Sequence, residues 1–495
     1  MTEREKFYRA IDNIEDVARN FGLDFFTTHF KLVPATKMYE FGAYGIPGRF
    51  SHWTFGKNYW MMKTMYDYGL SKIYELVINA NPSLAYCMET NALVANMTVV
   101  GHVLGHTDFF KNNIWFEHTD RQMPDTVTVH AERMREFTKE TSEDEVEDWQ
   151  DHVLAIQMHF CTTPAEFNRS TAQEYVKQSR EESKNKQKIK QTPTTPYDDI
   201  WDLGKVKEEK VEEVKVTIPY EEESDLLWLI SEFSPNNLAD WQKDILLMVR
   251  NEQQYFLPQI QTKLMNEGWA AYWHHKIMQK LLDMDKLSQD DWIRFAKMHA
   301  GVIAAHRNNL NPYNVGMKIF EDIDRKHKGI PHPEGAVEKN WLGEELDPKE
   351  TIGNPKYDIF QVRRDYNDKW FMRDFLPDYL IEELGLYQYE LQDDGKWVIT
   401  EKDPEKIRFT IAEQLTNFGR PVIYVPVDGV DYNQKRELYL KHAYQNDREI
   451  KIDFAQKALQ HVYALWGRPV HLETVLNKKK ILLTYDGKTQ SSKSI

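Results

Sequence analysis

Sulfur chemistry is nearly absent from this chain: its 495 residues hold two cysteines, Cys87 and Cys161. Two thiols build no disulfide framework, and neither stands in a C-x-x-C pair. A reducing compartment fits, with both read as small buried hydrophobes. No apolar run approaches the roughly 18 residues that a membrane span needs. The opening Met1-Thr2-Glu3-Arg4-Glu5-Lys6 has no apolar segment of the secretory kind. A cytoplasmic protein is therefore expected. Glycine-rich phosphate loops of the Walker type and dinucleotide fingerprints are missing too. So is any excess of positive charge: 63 Lys and Arg against 78 Asp and Glu leave a net charge of −15. Such a surface repels phosphate backbones, which argues against nucleic acid as a partner.

Core material, by contrast, is plentiful. With 14 Trp, 25 Tyr and 24 Phe the chain has enough apolar bulk for a large interior, and its length suggests two or three domains. Helical spacing marks residues 1 to about 30 through Phe7, Ile11, Ile14, Val17 and Phe21. Residues 37–57, with Gly42, Gly45, Pro47, Gly48 and Gly56, read as an ordered loop. Asn81-Pro82-Ser83 reads as a helix start, and residues 83–111 as one or two buried helices. Further helices are expected over 125–138 and, after the capping signal at 141–144, to about Phe160. Residues 164–223 are rich in Lys, Glu, Gln, Ser and Thr and read as a charged, partly disordered insertion. Helical periodicity resumes over 226–307. After Arg373 short β-like runs appear at 397–400, 422–425, 438–440 and 470–472, with a helix at 454–466 between the last two. The divisions expected are 1–163, 164–223, 224–372, an α+β domain over 373–487 and a loose tail over 488–495.

His102 and His106, in H-V-L-G-H, lie four apart on an expected helix, so both imidazoles face one side. That spacing suits two nitrogens on one divalent metal; the plain alternative is a pair of bonded core histidines. Downstream, Glu267 sits in Asn266-Glu267-Gly268-Trp269-Ala270-Ala271. A carboxylate in such an apolar, small-residue helix needs a partner, and a metal held by two histidines would supply one. An ordinary buried ion pair is the alternative. The set His102, His106, Glu267 resembles the zincin metallopeptidases, which pair H-E-x-x-H on one helix with a glutamate from a later one. One departure is Val103, which stands where the zincin general base would be. Glu89, Asp108 and His274 are candidates to replace it, in that order. On an unbroken helix Glu89 would lie roughly 20 Å from His102, so it would need a break to join the site. Asp108 would orient an imidazole or cap the helix end. A second cluster, His130, Glu132, Glu147, Asp151 and His152, reads as a solvated face. His52, Trp53 and Lys57, with His299 and His306, are candidates to line a pocket.

Several long motifs occur together: Tyr74-Glu75-Leu76-Val77-Ile78-Asn79 with Asn81-Pro82, His102 to His106 running into Asp108-Phe109-Phe110-Lys111-Asn112-Asn113, Asn266 to Ala270 with Trp273-His274, and Asn311-Pro312-Tyr313 with Gly316. In this order, with Phe50-Ser51-His52-Trp53 upstream, they resemble the stage V sporulation protein R (SpoVR) family over nearly the whole chain. The resemblance implies a role in forming the spore cortex, a peptidoglycan layer, from inside the mother cell. It also implies a serine protein kinase and a von Willebrand A-type protein as partners. It assigns no reaction to particular residues. The expectation is a mainly α protein with a zincin-like helical core and a small α+β C-terminal domain. It would bind zinc or another divalent metal at His102, His106 and Glu267. Its chemistry is expected to be of the hydrolase or amidase type, or else its role regulatory and non-enzymatic.

Overall fold

The structure, a computed structural model, describes residues 2–68, 75–162, 171–191, 216–304, 310–331, 344–345, 347–392, 395–445 and 448–495. The chain begins with α1 (Glu3–Asn20), β1 (Thr28–Val33), α2 (Ala35–Tyr44), α3 (Trp53–Asp67), β2 (Glu75–Ile78), β3 (Ser83–Met88) and α4 (Leu93–Asn112). There follow α5 (Met123–Glu140), α6 (Glu143–Ala155), α7 (Ala172–Gln191), α8 (Leu226–Phe233) and α9 (Asp240–Gln261). Next come α10 (Lys263–Asp283), α11 (Gln289–Val302) and α12 (Pro312–His327). Four short helices are α13 (Pro348–Thr351), α14 (Ile359–Asp365), α15 (Asp368–Phe375) and α16 (Asp378–Glu383). The remainder is β4 (Gln388–Leu391), β5 (Trp397–Glu401), α17 (Pro404–Leu415), β6 (Ile423–Tyr424), β7 (Leu438–His442), α18 (Ile452–Trp466), β8 (Val470–Leu476), β9 (Lys479–Tyr485) and β10 (Gln490–Ser494). The protein is thus mainly helical with a small sheet near its C-terminus.

Contacts divide the chain into two compact units, Met1–Glu132 with Tyr255–Arg420, and Arg133–Gln254 with Pro421–Ile495. In the first, α4 is the central element: every residue from Asn96 to Phe110 is buried. A helix apolar on all sides has to lie inside a core. Around it pack α1, α10, α11 and a three-stranded sheet of order β1-β3-β2, with β3 parallel to β1 and antiparallel to β2. The textural change after Arg373 falls inside this unit, since Phe375, Leu380 and Ile407 join its core.

Small residues set the distances between helices. A Cβ on Gly105 of α4 would stand 2.7 Å from Ala270 Cα on α10. A Cβ on Gly268 would drive into the backbone of Gly316 on α12, and one on Gly316 would strike the Leu264 carbonyl. These three helices therefore touch backbone to backbone. The N-terminal end of α10 has no side-chain cap of its own. The Asp368 carboxylate supplies one from α15, accepting from the Leu264 and Met265 N–H groups at 2.8 Å each. Burial pushes this carboxyl up to about 7, in spite of those two bonds.

In the second unit, β7 and β8 run parallel with α18 as the crossover between them, and β10-β9-β8-β7-β6 is the strand order. Asp225 and Arg250 form a buried pair at 2.8 Å, and Asp225 also caps α8 through the Trp228 N–H.

Three local readings of the sequence need correction. Residues 37–57 are not one loop: α2 and α3 occupy most of the stretch, and the break between them falls at Gly45 and Gly48, both at positive φ. Buried Met38, Tyr39 and Phe55 anchor these helices, so core contacts outweigh the glycine content. Residues 83–88 are a strand, not a helix. A central strand buried on both faces gives the same unbroken apolar run as a buried helix. Gln490–Ser494, expected as part of a loose tail, pairs with β9. Within the insertion, 163–170 and 192–215 lie outside the described residues, whereas Ala172–Gln191 is a helix and Glu223 bridges to Val425.

Gly268→Ala is expected to destabilise the protein by about 2–4 kcal/mol through overpacking. Gly56→Ala, in α3 with nothing within 4 Å of the added carbon, should be neutral or stabilising by up to about 1 kcal/mol. Denaturant midpoints of the two variants check this. Asp368 gives a pH dependence. Its folded value lies above the ordinary 3.8, so the native state binds the proton more tightly. That contribution is complete below about pH 4 and is lost as pH rises through about 7. Wild type should therefore lose stability between about pH 5 and 8 faster than Asp368→Asn, as read by unfolding at both values.

Candidate metal centre

The histidines of α4 meet the glutamate of α10 because the two helices cross at Gly105 and Ala270. Glu267 Oε2 lies 3.4 Å from His102 Nε2 and 3.5 Å from His106 Nε2. A second carboxylate joins them: Glu75 Oε1, from the first residue of β2, is 3.5 Å from His102 Nε2. The ligand atoms of Glu75, His102 and His106 all fall within 4.8 Å of one another. Both imidazoles are buried, and the two carboxylates are about four-fifths buried.

These separations are longer than good hydrogen bonds, which cluster near 2.7–3.2 Å. An ion holding nitrogen and oxygen donors at about 2.0–2.2 Å in a tetrahedron sets them roughly 3.3–3.6 Å apart. The observed spacings therefore fit donors gathered around one cation. The outer nitrogens agree. His106 Nδ1 meets Asn266 Oδ1 at 2.9 Å, so it carries the proton and leaves the Nε2 lone pair facing the glutamates. His102 Nδ1 meets His274 Nδ1 at 2.9 Å, and His274 Nε2 meets His299 Nδ1 at 2.8 Å. With the His102 Nε2 lone pair turned to the centre, every N–H in this row donates outward from it. Nitrogen and oxygen donors without thiolate suit zinc, iron or manganese.

The electrostatics separate the two carboxylates. Burial would raise Glu267, but the His102 and His106 imidazoles facing it outweigh burial and hold the carboxyl well below its ordinary range. Burial raises Glu75, and the two histidines only partly offset it. Burial would lower His106, yet Glu267, Asn266 and Glu75 together hold it above its ordinary value. His274 is pushed well down by burial and the neighbouring histidines, and His299 down to about 4 by burial, His275 and His102.

Beside the centre is a cavity of about 60 Å³, whose walls include Glu75, His102, His274, His299 and Tyr313. Tyr313, in the first turn of α12, stacks on His102 with centroids 5.8 Å apart, and burial with the nearby charges of Glu267 and Glu75 pushes its hydroxyl up.

The structure brings His102, His106, Glu267 and His274 together. Asp108, only two residues past His106, projects to another side of α4. Its oxygens accept from the Asp24 N–H and Trp269 Nε1, both at 2.8 Å, and pair with Arg363 at 3.1 Å. It ties the core together and touches no imidazole of the centre. Glu89 is exposed in the turn between β3 and α4. His299 lines the cavity, and His306 lies outside the described residues. His52 caps α3. Of the second polar cluster, His152 pairs with His461 Nδ1 at 2.9 Å. Sequence reasoning missed Glu75 as a site residue. Its only local signal is an acidic residue heading the apolar strand Leu76-Val77-Ile78.

The family described as SpoVR like protein matches residues 2–420, and the SpoVR-like C-terminal domain matches 424–477. The join between these matches coincides with the contact division at Arg420. The Escherichia coli K12 protein named "Uncharacterized protein YcgB" is 28% identical over 481 residues, covering 93% of this chain and 90% of its own length. No solved structure matches the chain. Among the described residues no helix is long and apolar enough to cross a membrane.

Protein purified without chelators is expected to carry about one transition-metal ion per chain by elemental analysis. His106→Ala should lose it, and Asn266→Ala should bind about 10- to 100-fold more weakly through loss of the imidazole's orientation. Full metal content in His106→Ala would contradict the assignment.

Proposed function

The chain belongs to the SpoVR-like family, which suggests a sporulation-related protein, and we propose that it is a metal-dependent hydrolase of amide bonds. The substrate is a peptide or a cell-wall precursor, and the setting is spore cortex formation in the mother-cell cytoplasm. The observation that carries this reading is the meeting of Glu75 and Glu267 with His102 and His106 beside a cavity. The small mixed sheet next to the His helix is in keeping with a zincin-like core.

A divalent ion held by His102, His106 and Glu267 would supply Lewis acidity and lower the pKa of a water. Glu75 fills the role that Val103 leaves empty. Val103 is wholly buried and bears no proton acceptor. Glu75, whose pKa is raised, takes a proton from the attacking water as the new C–O bond forms, and returns it to the leaving nitrogen as the C–N bond breaks. The Tyr313 hydroxyl, in the cavity wall, would donate to the carbonyl oxygen as it gains charge. Asn266 and His274 hold the two imidazoles in orientation.

A second reading keeps the metal without the reaction. The protein would then be a regulator or scaffold acting through a serine protein kinase and a von Willebrand A-type protein. Val103 favours it, because the usual base position carries none. Glu75→Gln separates the two. Under the hydrolase reading it retains metal but loses about 10²- to 10⁴-fold in rate on peptide and muropeptide amides. A metal-loaded wild type that cleaves none of these, with Glu75→Gln sporulating normally, would favour the scaffold.

A further inference from the structure

Helix α3 is built inside out. Of its 15 residues only Phe55 is fully buried, while Trp60, Met61 and Met65, with Tyr68 at its C-cap, are between 42% and 77% exposed. At 100° per residue these four, with Lys57 and Thr64, span one continuous stripe. Large apolar side chains scattered singly on a surface need no explanation, but a contiguous stripe marks an interaction site. The stripe lies on a single helix. It combines indole, phenol and thioether groups with lysine, and Lys63 also lies over the Trp60 ring at 5.9 Å. Trp and Tyr side chains favour a water–hydrocarbon boundary, with an apolar body and a polar tip, and lysine lays its stem along apolar surface.

Charge selects the occupant. The chain as a whole is acidic at −15, yet the stripe carries no acid: Lys57 stands within it, and Lys63 beside it pairs with Asp67. An anionic surface would repel most of this protein and attract this face. We propose that α3 is an interfacial helix that docks the protein on an anionic lipid surface, with Trp60, Met61, Met65 and Tyr68 entering the headgroup boundary and Lys57 pairing with lipid phosphates. The proposal is independent of the metal centre and of any reaction there.

Co-sedimentation of the full-length protein with vesicles tests it. The wild type is expected to pellet with phosphatidylglycerol–phosphatidylcholine vesicles, to stay in solution with pure phosphatidylcholine, and to be released by high salt. The double variant Trp60→Ser/Met61→Ser should bind at least about tenfold more weakly, equivalent to about 1.4 kcal/mol. Lys57→Glu, which leaves the apolar stripe intact, should weaken binding to anionic vesicles in the same direction. Circular dichroism melts confirm that both variants fold. No binding of the wild type, equal binding to neutral vesicles, or undiminished binding of both variants would overturn the proposal. A self-association that the double variant abolishes, without vesicle binding, would assign the stripe to a second copy of the chain and overturn it equally.

Discussion

The backbone contact of three helices fixes everything else in the first unit. Gly105 against Ala270 brings α4 onto α10, and Gly268 against Gly316 brings α10 onto α12. At ordinary helix spacings of 8–10 Å the side chains would have to reach across a packed layer. At backbone contact, His102 and His106 stand within 3.5 Å of Glu267, and Tyr313 reaches both helices. Glycine is unfavourable inside a helix by about 1 kcal/mol, so its presence at each crossing reflects a geometric need that no other residue meets.

That geometry puts two carboxylates and four imidazoles in the interior of a mainly apolar core. Unpaired charges there would be strongly unfavourable. The protein answers with outward polar partners: Asn266 on His106, then His274 and His299 in sequence from His102. The arrangement leaves Nε2 of His102 and of His106 turned toward the carboxylates, and the two glutamates shifted in opposite directions. In the proposed reading a divalent cation would balance the remaining negative charge. Asp108 with Arg363 and Trp269 shows the other solution within the same helix, a buried ion pair with its own hydrogen bonds.

Much of this was legible in the sequence, and the rest was hidden for physical reasons. The His pair and Glu267 could be found because helical spacing and a lone acid among small residues are local signals. Strands β5 to β8 and helix α18 could be found because short β-like runs and helical spacing are local signals, whereas β9 and β10 were not read as strands. Glu75 was obscured because its role depends on how β2 meets α4, a contact that no periodicity encodes. Strand β3 was misread because burial on both faces erases the period of two. Asp108 looked like an imidazole partner from its nearness to His106 in sequence, but two residues along a helix turn a side chain to another face.

X-ray absorption at the edge of the bound metal tests the central claim most directly. The expected result is a first shell of nitrogen and oxygen at about 2.0–2.2 Å, with imidazole outer-shell scattering from two histidines that falls to one in His102→Ala. A sulfur shell, or a spectrum of hydrated ion that His102→Ala leaves unchanged, would contradict it.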